Sequence, residues 1–164
     1  MIPEFSRHFR AHDVGTLPRQ QMIEADALER SALARRFDLL SLDRLAAALI
    51  LVRDTAGIRV TGQVHASGTQ PCVATAEPVA FLITEAVAVL LTEAAPEGDE
   101  IELAGADLDA EPLTGDIIDM GEIAAQALAL ALDPYPRSAV PAPGVLTEAE
   151  ARIASSPFAV LRKT

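Results

Sequence analysis

The thirty residues SLDRLAAALILVRDTAGIRVTGQVHASGTQ, 41–70, decide how this chain folds. From Ser41 to Arg53 they begin in alternation and become continuously apolar, the pattern of a central strand. DTAG (54–57) turns the chain. Ile58, Val60, Gly62, Val64 and Ala66 then recur with period two through residue 70, which predicts a β-hairpin. Working outward, Phe5, Arg7 and Phe9 alternate with polar neighbours and predict a strand over 4–10. Residues 20–24 form a short strand candidate, and residues 79–92 a third β-rich run.

Helices are marked by their caps. Asp26 stands before ALERSALARRF with Glu29 three residues on, so a helix is expected near 27–37, with Leu28, Leu33 and Phe37 as its apolar positions. Asp119 and Glu122 repeat the arrangement ahead of a helix over 120–132 that Pro134 ends. That second helix is apolar nearly all round, so it is expected deep in the fold. The expected class is α+β: a curved antiparallel sheet of four or more strands (4–10, 41–53, 58–70 and 79–92), one long buried helix and one or two short ones. No regular crossover helices alternate with the strands, which argues against a doubly wound sheet. Residues 1–137 read as a single domain. Residues 138–164 read as a linker followed by a short C-terminal helical tail, capped by Thr147 and Glu150, that docks on the core.

The 164 residues are enough for a sizeable core, and with no Trp, one Tyr and five Phe that core must be aliphatic. A single cysteine rules out an internal disulfide. MIPEFSRHFRAHD has no apolar signal region, and no run reaches the length of a membrane span, so a cytoplasmic protein without membrane contact is expected. The net charge of −11 is unevenly spread. Residues 1–60 balance at +1, residues 61–136 carry fourteen acids and no Lys or Arg, and residues 137–164 balance at +2. Phosphates would be repelled by the middle of the chain, whereas a basic partner is matched by it.

Little in the sequence advertises chemistry. One Cys and three scattered His fall short of a closed zinc site, and Cys72 has no resolving thiol because Thr75 occupies the second position of a C-x-x-C spacing. His8 and His12 share a face but no HExxH accompanies them. Asp107, Asp109 and Glu111 imitate the start of a calcium loop, yet Pro112 stands where its glycine belongs and the terminal Glu is missing. No metal and no cofactor is expected, and no spacing proposes a catalytic triad.

Three stretches in order, PCVATAEP (71–78), IDMGEIAAQALALALDPYPR (118–137) and SPFAVLRKT (156–164), together resemble the YceD-type large ribosomal RNA accumulation proteins, a bacterial and plastid family. The middle stretch is similar to the family's D-L-G-E, apolar helix, Pro signature at Asp119, Gly121, Glu122 and Pro134. The last is similar to its C-terminal ending at Pro157, Phe158, Ala159, Val160 and Leu161. In the first, Cys72, Glu77 and Pro78 match while Thr75 departs from the family's second cysteine. That departure favours a turn between strands, with Cys72 as a small buried group, over a metal site. The resemblance implies a role in synthesis, processing or accumulation of large-subunit ribosomal RNA, hence in ribosome assembly, and brings no catalytic residues with it. Candidate RNA contacts are Arg30, Arg35 and Arg36; candidate contacts to a basic large-subunit ribosomal protein are Glu97, Asp99, Glu100 and Glu102. Two other functions fit the residues less well. An RNA-processing enzyme holding magnesium on carboxylates would want basic groups that 61–136 lack, and a small-ligand binding domain would be unrelated to ribosomes.

Overall fold

The computed structural model describes residues 3–92 and 109–139. In chain order the elements are β1 (His8–Arg10), a 3-10 turn (Ala11–Asp13), β2 (Arg19–Glu24), α1 (Ala27–Arg36), β3 (Ser41–Asp54), β4 (Gly57–Pro71), β5 (Pro78–Thr92), β6 (Asp109–Pro112), β7 (Ile117–Asp119) and α2 (Met120–Ala131). The class is α+β. An open five-stranded sheet runs β2-β3-β4-β5-β6, and β1 and β7 form a separate two-stranded sheet.

The 41–70 hairpin is its spine. Asp54 pairs with Gly57, leaving a two-residue loop whose Ala56 amide donates to Asp54 Oδ1 at 2.8 Å. Gly57 is required there: its φ is +145°, and a Cβ would lie 2.2 Å from the Leu91 carbonyl oxygen. Alternation then sends Leu45, Leu49 and Leu51 of β3, and Ile58, Val60 and Val64 of β4, to one face, where all are buried. Both helices pack on that face, and Phe5 joins the otherwise aliphatic core.

Three expectations need correction. The 4–10 segment does not join the main sheet: only His8–Arg10 is strand, and it pairs with β7. The main sheet is mixed, because β6 runs parallel to β5 from Val89↔Asp109 to Thr92↔Pro112. The acidic composition of 109–112 conceals this strand from any β-propensity argument. Finally, α2 is not enclosed on every side. Leu128 is 0% exposed, but Leu130, two residues on, is 84% exposed. An apolar residue says what burial is available, not that it is used.

The capping box at Asp26 forms as expected, whereas at Asp119 only the N-cap half forms, because the Glu122 carboxylate turns to Arg36 and not back to the Asp119 amide. Asp26 accepts from the amides of Leu28 and Glu29 while Glu29 returns a bond to the Asp26 amide. Leu28, however, points outward at 82% exposure, so α1 docks through Leu33 and Ala34 instead. The linker and tail predicted for 138–164 lie outside the described residues from 140 onward.

Candidate functional site

The Asp119–Gly121–Glu122 corner gathers the molecule's polar contacts at the start of α2. Asp119 Oδ1 accepts from the Gly121 amide (3.0 Å), the Glu122 amide (3.3 Å) and the Arg7 amide (2.9 Å). Its Oδ2 accepts the Ser6 hydroxyl at 2.6 Å. The cap therefore also pins the N-terminal segment. Gly121 permits the close approach: an added Cβ would stand 2.4 Å from the Phe5 carbonyl oxygen. Glu122 binds Arg36 through two bonds of 2.9 and 2.8 Å, and Arg36 also reaches Glu4 at 3.0 Å. Arg7 makes a matching two-pronged contact with Glu29, at 2.6 and 2.9 Å. Two forked arginine–carboxylate pairs thus tie residues 4–7 to α1 and α1 to α2.

The electrostatics agree with this clamp. Hydrogen bonding to Arg7 holds the Glu29 carboxyl below the ordinary carboxylate range, and Glu29 in turn raises Arg7. Glu4 is lowered first by its backbone hydrogen bond and then by Arg36, while Glu122 raises Arg36. Carboxyls lowered in this way stabilise the fold above their unfolded pKa, and that contribution is lost as pH falls through the lowered folded value.

Ser6, His8 and Asp119 lie together, but in the wrong order for nucleophilic catalysis. His8 Nε2 is 2.8 Å from Ser6 Oγ, yet the Ser6 proton goes to Asp119 rather than to the imidazole. A working triad needs the carboxylate on the far ring nitrogen of the histidine. Here the carboxylate is a helix cap. His12 is elsewhere, bonded to Asp116, whose carboxyl it lowers.

The first motif stretch, 71–78, is the β4–β5 turn, as expected of a turn between strands. Pro71 pairs with Pro78, and Ala76 takes a positive φ of 61°. The turn closes on itself through Cys72 N–H to the Glu77 carbonyl and Ala76 N–H to the Cys72 carbonyl, both 2.8 Å. Cys72 is buried, and its sulfur accepts the Ser138 amide at 3.3 Å. That bond is the main reason its thiol is lowered to about 7, with the Thr75 side chain next. The Thr75 hydroxyl itself donates to the Glu77 carboxylate at 3.4 Å. Glu77 accepts the Ser138 hydroxyl at 3.1 Å, and the Val73 amide donates to the Pro136 carbonyl at 2.9 Å. Pro134 lies just beyond the end of α2, and Gln70 donates to the carbonyl of Asp133 at 2.9 Å.

The arginines of α1 do not make an open patch. Arg36 is committed to Glu4 and Glu122, Arg30 donates to the Ala25 carbonyl at 2.7 Å, and Arg35 contacts the Ser31 carbonyl at 3.4 Å. Glu97, Asp99, Glu100 and Glu102 lie outside the described residues, as do Pro157 and Phe158. Among the described residues no group of three His, Cys, Asp or Glu side chains is placed to hold a metal, and no helix is long and apolar enough to cross a membrane. Sequence reading missed Glu4, Ser6, Arg7 and Ser138, because each acts on a partner far along the chain. Only the arginine at position 7 of an otherwise apolar-alternating segment hinted at a carboxylate partner. The chain matches no protein-family model, no curated protein and no solved structure.

Proposed function

We propose that this protein is a non-enzymatic, cytoplasmic factor in the synthesis, processing or accumulation of large-subunit ribosomal RNA, acting during ribosome assembly. The observation that carries the reading is the meeting of two motif stretches lying far apart in sequence. Val73 of the first bonds to Pro136 of the second, and Cys72 and Glu77 both bond to Ser138, directly after it. The cap, the close-approach glycine and the Arg36-bound carboxylate give Asp119, Gly121 and Glu122 a shared architectural role, so the motif builds a scaffold and the working contacts lie elsewhere.

Charge assigns those contacts. The acidic segment 61–136 suits a cationic ribosomal protein, and Arg30 and Arg35 are the α1 arginines left for RNA once Arg36 is committed to the clamp. The test compares two variants in low-salt retention assays with purified basic large-subunit proteins and with precursor RNA. Replacing Glu97, Asp99, Glu100 and Glu102 by their amides should weaken protein retention about tenfold and leave RNA binding unchanged, with the difference vanishing in roughly 0.5 M salt. Arg30→Ala with Arg35→Ala should do the reverse. Unchanged retention of both ligands by both variants would make the tract a solubilising loop and overturn the assignment.

A further inference from the structure

An open groove of about 360 Å³ lies where the C-terminal ends of α1 and α2 meet the C-terminal end of β4. Phe37, Val73 and Leu132 line it together with Pro71, Pro134 and Pro136. Its free polar side-chain atoms are all acceptors. Asp38 and Asp133 stand on its wall, and neither carboxylate pairs with a cation among the described residues. Gln70, only 8% exposed, donates from Nε2 to the Asp133 carbonyl at 2.9 Å, which leaves Oε1 without a partner among the described residues. The carbonyl end of a helix is itself electronegative, and a basic residue in the last turn normally offsets it. The last turn of α2 has none, and Asp133 just beyond it adds charge of the wrong sign. The groove is thus apolar in lining and anionic at its rim, with an unanswered acceptor inside.

We infer that this groove is the docking site of the chain's own residues 156–164, SPFAVLRKT. Phe158 and Leu161 meet its apolar wall, Arg162 and Lys163 meet Asp38 and Asp133, and Gln70 Oε1 accepts a backbone amide. The inference does not depend on the function proposed above. Charge selects this occupant. Residues 93–108 contain no Lys or Arg, and Arg152 follows closely on Glu148 and Glu150. Outside the described residues, only 156–164 joins an apolar run to cations with no acid beside them.

The tether selects it as well. Pro136 lines the groove and accepts the Val73 amide at 2.9 Å, and Ser138 is bound to Cys72 and Glu77, so the chain continues outward from the groove's own rim. The roughly 20 residues between Ser138 and Phe158 span up to about 60 Å when extended, so the segment reaches without strain. A linker of that length holds it at an effective concentration in roughly the millimolar range. Even a weak contact is then mostly closed, whereas a separate peptide of the same composition competes poorly.

Lys163 is the only lysine in the chain, which makes the contact directly readable. A water-soluble carbodiimide joins an amine to a carboxylate held beside it, and digestion with mass spectrometry identifies the pair. In the full chain at low salt, Lys163 should be joined predominantly to Asp133 or Asp38 of the same chain, with a yield that does not change between about 1 and 50 µM protein. Roughly 0.5 M salt should cut that yield about tenfold. Val73→Arg sets a cation against Arg162 and Lys163 at a 53% exposed position, and should also cut it about tenfold with an unchanged melting curve. Leu82→Arg adds the same charge at an exposed position on β5 away from the groove and should leave the yield as in the wild type. Coupling of Lys163 to carboxylates elsewhere, no coupling at all, or equal losses in the two arginine variants would each overturn the proposal. Crosslinked dimers in place of the intrachain product overturn it in favour of a second copy's segment.

Discussion

Leu128→Asp is expected to leave the protein unfolded or insoluble. Leu128 sits on the sheet-facing side of α2, fully buried with Ala124 and Ala125 beside it. An aspartate there has no described cation to meet, and burying an unpaired carboxylate costs several kcal/mol on top of the lost apolar contact. A domain of this kind is stable by only about 5–15 kcal/mol, so the substitution removes most of the margin. Leu128→Ala keeps the site neutral and should cost about 2–5 kcal/mol, leaving a folded protein with a lower melting temperature. The decisive control is Leu130→Asp. It lies on the same helix two residues away, yet it faces solvent and should change stability by about 0.5 kcal/mol or less. Circular dichroism melts of the three variants give the answer. If the two aspartate variants behaved alike, α2 would not pack as described.

Gly121→Val is expected to cost about 3 kcal/mol or more, and Gly121→Ala about 1–3. The sign for alanine is the informative part. On helix propensity alone, Ala in place of Gly should stabilise by about 1 kcal/mol. Here its Cβ would meet the Phe5 carbonyl oxygen at 2.4 Å, the Phe5 carbonyl carbon at 2.8 Å and Ser6 Cα at 3.0 Å. All three are backbone atoms that cannot rotate away. The N-terminal segment would have to lift, breaking the Arg7 amide bond to Asp119 and the Met120 amide bond to the Arg7 carbonyl, both 2.9 Å. Urea midpoints should fall for both variants, and amide exchange at Arg7 and Met120 should accelerate. A stabilised Gly121→Ala protein would show that propensity dominates and that the glycine is not there for close packing.

These two positions show what the sequence could and could not disclose. Period-two alternation in 41–70 predicts the central hairpin because side-chain direction and burial follow the same local rule. The caps at Asp26 and Asp119 are local too, since donor and acceptor lie within three residues. What escapes is non-local. The parallel pairing of β6 depends on a strand far away in sequence, and the separate β1–β7 pair joins residues from opposite ends of the described chain. The alanines and leucines of α2 cannot announce which of them face water. For the candidate site, Asp119 and Glu122 are legible as a capping arrangement, but their second partners, Arg7, Ser6 and Arg36, are not. Cys72 reads correctly as a turn residue, whereas its bond from Ser138 has no sequence signature at all.

The central claim is that the protein supports accumulation of large-subunit ribosomal RNA without processing it chemically. Quantifying mature large- and small-subunit ribosomal RNA, with their precursors, after depletion of the protein in its native cells tests this most directly. The account predicts a selective fall in mature large-subunit RNA relative to small-subunit RNA, restored by re-expressing the intact chain. It also predicts that the purified protein leaves precursor RNA uncut in the presence of magnesium. An unchanged ratio of the two RNAs on depletion, or defined cleavage products from the purified protein, would contradict it.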